Sequence, residues 1–264
     1  MGQKMENQKS KGKFFARAKV MAMSLAICMS LTACSTTSEP NYSGEVSDPF
    51  EELNRKTFAF NEALDKAVFN PVVKGYRTVV PQPARTGVRN FVRNLNSPII
   101  VGNQILQGDV EGAAGGVTRF AVNTVFGVGG LIDVAADAGL PYEKEDFGQT
   151  LAVWGVGSGP YIVMPIFGPS TMRDATGSLV DGYADPLRIY LDNIDEEEWI
   201  YARAGLQGLV AKDEFYDVLN DLRMNSFDYY AAVRSVYIQN RNALINDQDP
   251  EIAAGPAIPD YDDE

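Results

Sequence analysis

Residues Val20 to Ala33 form a 14-residue uncharged stretch that stops at Cys34, and this stop decides which part of the chain has a fold to make. Lys4, Lys9, Lys11, Lys13, Arg17 and Lys19 precede it as a positive region. That is the length of a signal-peptide apolar region and is too short to span a bilayer. The stretch ends in Leu31-Thr32-Ala33-Cys34, the form of a bacterial lipobox, in which a small residue precedes a cysteine that is acylated before cleavage. An ordinary signal peptide with a chance cysteine is the plainer alternative, yet cysteine is rare and stands here at the one position that matters. Residues 1–33 are therefore read as a lipoprotein signal peptide and Cys34 as the lipid anchor.

Removal of the leader changes the chemistry of what remains. Of the two cysteines, Cys28 leaves with it, so the mature chain has one thiol and no disulfide. Each buried methylene contributes about 0.8 kcal/mol, so more than one acyl chain on Cys34 makes attachment effectively permanent. Ser35, rather than Asp, after the cysteine resembles the sorting signal for the outer membrane. The whole chain carries a net charge of −12, but the leader is basic, and the mature chain keeps 17 basic and 34 acidic residues, a net of −17. Charge does not draw such a body to an anionic bilayer. A pI of about 4.6 also argues against nucleic acid as a partner.

The 264 residues include no histidine. Ser-His-Asp and Cys-His nucleophile systems lack their base, and histidine-ligated zinc or iron is excluded. Two cysteines do not make a zinc knuckle. No metal, no cofactor and no catalytic residue is expected. Apolar residues at 45% are enough for a folded core.

Four segments follow from patterning: the signal peptide, a polar tether over residues 34–47, a folded domain over 48–245 and an acidic, disordered tail over 246–264. Asp48, Pro49 and Glu51 read as a capped helix start, with Leu53, Phe60, Leu64 and Val68 at helical spacing through about Phe69. Pro71, Pro81 and Pro83 punctuate the next stretch, and a second helix is expected over Pro83–Leu95. Asp109 should cap a third, running to about Phe126 and rich in Gly112, Ala113, Ala114, Gly115, Gly116 and Ala121. Such small residues suit either lipid-embedded packing or a tightly packed soluble helix. Another short helix is expected over Leu131–Ala138. Leu151 and Val153, then Tyr161 and Val163, flank Gly155-Val156-Gly157-Ser158-Gly159-Pro160, which reads as a hairpin with a glycine-rich tip, weakened in its second arm by Pro165. Helices return in the last third, with Asp195 and Ser226 as candidate caps. No internal repeat is present, and acids and bases interrupt every mature segment long enough to span a bilayer.

The candidate sites are few. Neither glycine run fits a dinucleotide or P-loop fingerprint. Gly155, Gly157 and Gly159 fit a tight turn, the simpler reading, or a hinge. Arg85, Arg89 and Arg93, four residues apart, suit a solvated helix face or contact with lipid phosphates. The run Asp192, Asp195, Glu196, Glu197 and Glu198 lacks the ligand spacing of a calcium loop and suits a charged helix start. A lipid-anchored envelope hydrolase using paired carboxylates remains the enzymatic alternative.

Several short motifs, taken together, resemble one family. Asp48-Pro49-Phe50-Glu51 with Asn54-Arg55, Val80-Pro81-Gln82-Pro83-Ala84-Arg85, Leu106-Gln107-Gly108-Asp109 and Thr118-Arg119-Phe120 come first. Gly129-Gly130-Leu131-Ile132-Asp133-Val134-Ala135, Phe147-Gly148-Gln149-Thr150-Leu151, Gly155 to Tyr161 and Arg173-Asp174 follow in the same order. They are similar to the MlaA/VacJ family of outer-membrane lipoproteins over about residues 48–240. The resemblance implies an all-α, ring-shaped single domain of amphipathic helices around an amphipathic channel, with a glycine-rich hairpin loop. It implies a body in the inner leaflet of the outer membrane, facing the periplasm. Phospholipids misplaced in the outer leaflet would pass through it to a soluble periplasmic phospholipid carrier, with an outer-membrane trimeric porin as partner and no chemistry on the lipid. In that family pattern Gly155, Gly157 and Gly159 become a channel hinge, and Arg85 and Arg173 become candidate headgroup contacts.

Overall fold

The computed structural model describes residues 46–247. These residues are mostly helical, with one two-stranded antiparallel hairpin among them. The signal peptide, Cys34 and the tail beyond Asp247 lie outside the described residues.

The first helical path is longer than its prolines suggest. Helix α1 (Glu51–Leu64) passes through a π turn at Asp65–Phe69 into α2 (Asn70–Val79), with Pro71 tolerated near the start of α2. Helix α3 (Gln82–Gln107) has 26 residues, extending twelve past the expected stop at Leu95 with Pro98 inside it. Gly108, at φ 83°, ends it in the left-handed conformation that glycine adopts without penalty. Asp109 caps α4 (Val110–Val125) as expected, accepting from the Gly112 N–H at 2.9 Å. Gly112 and Gly116 of α4 face α3, where a Cβ would lie 2.8 Å from Gln104 Nε2 and 2.7 Å from the Val101 side chain, while Ala114 and Ala121 are exposed. Val110, Val117 and Val125 stay exposed.

Asp133 caps α5 (Val134–Asp137), and Asp146 caps α6 (Phe147–Val153). The hairpin differs from expectation. Leu151 and Val153 belong to α6, and the strands are β1 (Tyr161–Met164) and β2 (Gly168–Thr171), with Tyr161 opposite Thr171 and Met164 opposite Gly168. Pro165 lies in the turn rather than in a strand, so the glycine run is the connection from α6 into β1 and not the tip of a hairpin.

Helices α7 (Met172–Ala184), α8 (Pro186–Asn193), α9 (Glu197–Glu214), α10 (Tyr216–Asn225) and α11 (Tyr229–Ile245) complete the described chain. Three expected caps are corrected. The N-cap of α1 is Phe50, of α9 Glu196 and of α11 Asp228; Asp48, Asp195 and Ser226 do not cap them. Asp48 instead accepts from Asn54 Nδ2 (2.8 Å), Arg234 Nη1 (3.0 Å) and the Tyr230 hydroxyl. That tertiary demand outweighs the local capping pattern.

The apolar core is small. Tyr161, Val163 and Tyr230 form it, with Val46, Phe58 and Tyr237 packed around them. The Tyr161–Tyr230 and Phe58–Tyr230 rings meet edge-on at 6.2 and 5.5 Å. Ser47 joins early, its carbonyl accepting from the Tyr161 N–H at 3.0 Å. Buried polar and charged residues number 13 against 12 buried hydrophobic ones, while 32 large hydrophobic side chains are exposed, so the usual inside–outside partition is weak.

Candidate functional site

The connection from α6 to β1 has no strand ladder of its own, so other groups hold it. Gly155 (φ 84°) and Gly159 (φ 66°) occupy the left-handed region, which ordinary side chains resist. Gly157 does not, and a Cβ there meets nothing within 4 Å. The base of α7 grips the segment: the Arg173 N–H donates to the Ser158 carbonyl and the Met172 N–H to the Pro160 carbonyl, both at 3.2 Å. Arg173 Nη1 reaches the Val156 carbonyl at 3.4 Å.

Beneath this grip lies a buried ionic cluster built from three helix segments. Thr171 caps α7, accepting from the Asp174 N–H at 3.2 Å and fixing Asp174 in the first turn. Arg173 Nε and Arg241 Nη2 both donate to Asp174 Oδ1 at 3.0 Å, and the Tyr237 hydroxyl donates to Oδ2 at 2.7 Å. Arg241 also takes Asp146 in a bidentate pair, both bonds at 2.6 Å. Burial works to raise both carboxyls, but Arg241 overcomes it, with Arg173 and Tyr237 adding at Asp174, and both stand below the usual carboxylate range. Burial and Asp174 push the Tyr237 phenol up. Glycines make room for the cluster. A Cβ on Gly148 would lie 2.4 Å from Arg241 Nη2, and one on Gly177 would lie 2.3 Å from the Gly148 nitrogen.

A second cluster fixes the turn after α4. Arg119 Nη2 donates to both Asp133 oxygens (2.9 and 2.8 Å), Asn123 Nδ2 donates to Asp133 Oδ1 (2.8 Å), and Asn123 Oδ1 accepts from the Ala135 N–H (2.9 Å). Asn94 packs where a Gly130 Cβ would stand, at 2.4 Å. The motifs Thr118-Arg119-Phe120 and Ile132-Asp133 are thereby one construction.

The sequence-predicted residues separate into two places. Gly155, Gly157, Gly159 and Arg173 come together in the α6–β1 connection. Arg85 lies elsewhere, donating to both oxygens of Asp213 on α9 at 2.8 and 3.0 Å, and Arg93 pairs with Glu214, so these positions of the arginine stripe face α9 rather than solvent. Arg173 is buried and paired with Asp174. Asp146, Tyr237 and Arg241 were not singled out by sequence reasoning, because they lie far apart in the chain and carry no local pattern. Glu145 is buried beside Gln107, which donates to it at 2.6 Å; burial, with Asp247, Asp146 and Glu143 adding, raises its carboxyl to about 7. Among the described residues no group of three or more histidine, cysteine or carboxylate side chains could hold a metal ion, and no helix is long and apolar enough to cross a membrane.

A family model described as MlaA lipoprotein matches residues 46–244. The chain belongs to the MlaA lipoprotein family. It is 35% identical over 232 residues to the intermembrane phospholipid transport system lipoprotein MlaA of Escherichia coli (strain K12), covering 86% of this chain and 90% of that one. The protein of the same description in Haemophilus influenzae is 32% identical over 235 residues, covering 88% and 92%. An uncharacterized Rickettsia prowazekii protein is 39% identical over 202 residues, covering 76% and 79%. A solved chain from work on the structural basis for maintenance of bacterial outer membrane lipid asymmetry is 38% identical, with a TM-score of 0.65, covering 76% of this chain and all of that one. The MlaA family therefore accounts for the helical fold and for the motif order across the described domain.

Proposed function

We propose that this protein is a non-catalytic phospholipid passage of the outer membrane, anchored by acylated Cys34 and seated in the inner leaflet facing the periplasm. It takes mislocalised phospholipid from the outer leaflet, passes it through an amphipathic channel within a ring of helices and hands it to a soluble periplasmic carrier, beside a trimeric porin. One observation carries the reading: 32 large apolar side chains are exposed while buried polar and charged residues are as numerous as buried hydrophobic ones. A body of that kind is at ease in acyl chains. Membership in the family, and relatives named for phospholipid transport, support it. The glycine connection is the gating segment, its base clamped by Arg173 and its middle, at Gly157, unencumbered.

The test is complementation of a strain lacking the gene, reading outer-leaflet phospholipid. The wild-type chain restores asymmetry, and Gly157→Pro fails to do so at normal protein level. Full restoration by Gly157→Pro would remove the hinge, and failure of the wild type would remove the transport reading. Purified protein incubated with labelled phospholipid or peptidoglycan should show no turnover. Turnover lost with a single Asp→Asn change would replace a passage with a hydrolase.

A further inference from the structure

We infer that the cavity between α7, α8 and α9 is a subsite for a phosphate oxyanion, and that in this protein it receives the phosphate of a phospholipid headgroup. The source of the phosphate rests on the phospholipid reading above; the oxyanion chemistry rests on the cavity itself. The cavity measures about 120 Å³, and Asp185, Arg188, Leu191, Ile200, Arg203 and Gln207 stand in its wall. One water needs on the order of 10–15 Å³ of such space, so a tetrahedral oxyanion with a few waters fits.

Arginine is sequestered almost everywhere else. Of the twelve arginines among the described residues, ten stand in ion pairs, and only Arg89 and Arg188 do not. Arg188 stands at the cavity. It gives one N–H to the Gly182 carbonyl at 2.9 Å and lies over the Tyr183 ring at 5.1 Å; the side chain is exposed at the cavity rim, so its other donors are open to solvent and to an incoming anion. Opposite it, Arg203 is fixed by the Asp185 carboxylate, the Leu95 carbonyl (3.2 Å) and Asn96 Oδ1 (2.9 Å), while its buried Nε–H has no acceptor. A buried donor without an acceptor is costly to leave unmade; Arg85, Arg89, Arg223 and Arg241 hold a buried Nε in the same state, and what sets Arg203 apart is that it lines the same cavity as Arg188. Two guanidiniums face one carboxylate, and that carboxylate already accepts from Arg203 and from the Leu187 N–H. The balance is positive, inside a chain whose mature net charge is strongly negative. Planar guanidiniums match phosphate oxygens better than any other side chain.

The surroundings choose lipid over free phosphate. Leu191 and Ile200 give the cavity an apolar side next to its cationic one. Tyr183, Tyr190, Trp199 and Tyr201, on the same three helices, are all more than half exposed. Exposed tyrosine and tryptophan collect at headgroup depth, where one end of the ring is apolar and the other wet.

The experiment uses the full-length protein in non-ionic detergent, titrated with dihexanoyl phosphatidylglycerol in one arm and inorganic phosphate in the other, with ³¹P line width as readout. Wild type should broaden the lipid resonance. Arg188→Gln should weaken binding about tenfold, as expected for one charge-assisted contact, and Arg188→Lys should recover part of it. Arg188 makes few internal bonds, so its variants should keep the wild-type circular dichroism; Arg203→Gln is read only where that spectrum is also kept. Lipid binding unchanged in Arg188→Gln and in folded Arg203→Gln overturns the subsite and leaves the transport reading standing, since complementation measures that separately. Arg188-dependent binding of inorganic phosphate alone upholds the oxyanion site and assigns it to free phosphate. Binding in neither arm overturns it.

Discussion

Arg241→Met should be among the most damaging single changes in the domain, and its damage should depend on pH. Arg241 is 8% exposed and is the shared cation of Asp146 and Asp174, with contacts of 2.6, 2.6 and 3.0 Å. Methionine fills much of the volume but leaves Asp146 without its bidentate partner; Asp174 keeps Arg173 and Tyr237. Removing one member of a buried pair costs about 3–5 kcal/mol, against a typical total stability of about 5–15 kcal/mol. In the wild type both carboxyls are held below their ordinary value, so the stability they contribute is present above that value and is lost only as pH falls through the acidic range. In the variant, burial remains and the cation is gone, so the Asp146 carboxyl rises and protonation relieves it. The loss should therefore be largest near pH 8 and should shrink toward pH 5. Urea unfolding followed by tryptophan fluorescence at both values measures this. Adding Asp146→Asn to the variant should return about 2 kcal/mol at pH 8. A loss below about 1 kcal/mol at pH 8 would refute the view that the cluster is a cooperative charged core. So would parallel losses at the two pH values.

Glu145 runs in the opposite direction. Its folded value of about 7 lies above the ordinary one, so its stability is fully present below the ordinary glutamate range and is lost as pH rises through about 7. Glu145→Gln should abolish that slope and exceed wild type at pH 8 by about 2 kcal/mol after allowance for solvent screening, read from the same urea curves. Gly177→Val drives a side chain into the Gly148 backbone and should cost about 3 kcal/mol, seen as a lower unfolding midpoint with an unchanged denaturant slope. Gly159→Ala, at positive φ and 3.2 Å from the Met172 side chain, should cost about 1 kcal/mol, whereas Gly157→Ala should cost nothing or stabilise slightly; equal losses would mean that the two glycines serve one purpose. Binding of the protein to zwitterionic vesicles should hold between low and 1 M salt, because a charge-driven contact would be screened there.

What could be read in the sequence was local. Asp109 and Asp133 cap their helices because the chain right after them turns helical, and nothing distant competes for their carboxylates more strongly than that. Asp48 has the same local credentials, yet Tyr230, Arg234 and Asn54 claim it from 182, 186 and 6 residues away. The hairpin signal was real but displaced. Asp146 caps α6 and draws Leu151 and Val153 into a helix, so the strands form one segment later around Pro165. Pro98 hid the second half of α3, because a proline inside a helix looks like an end when tertiary packing is not visible. The site followed the same division. Gly155, Gly159 and Arg173 were visible as short motifs, while the bond from Arg173 to the Val156 carbonyl and the cluster of Asp146, Asp174, Tyr237 and Arg241 exist only once α6, α7 and α11 are packed together.

The distribution of charge bears on how such a body is held at a membrane. A soluble domain hides apolar side chains and shows its cations to water. Here the arginines turn inward. Arg85 and Arg93 tie α3 to α9, Arg119 ties α4 to the Asp133 turn, Arg203 ties α9 to the start of α8 and to α3, and Arg241 ties α11 to α6 and α7. Each such pair spends a positive charge on cohesion between helices, which a small apolar core cannot supply alone. Val110, Val125, Phe126 and Phe167 stand exposed, as do acids such as Glu111 and Glu197. Acids repel an anionic bilayer and apolar side chains do not, so the membrane seat proposed above would have to be held by apolar contact and by the proposed acylated cysteine. The same allocation explains why Arg188 stands out: ten of the twelve described arginines are paired with carboxylates, and Arg188 is an exposed, unpaired one at the rim of a cavity, as the proposed subsite requires.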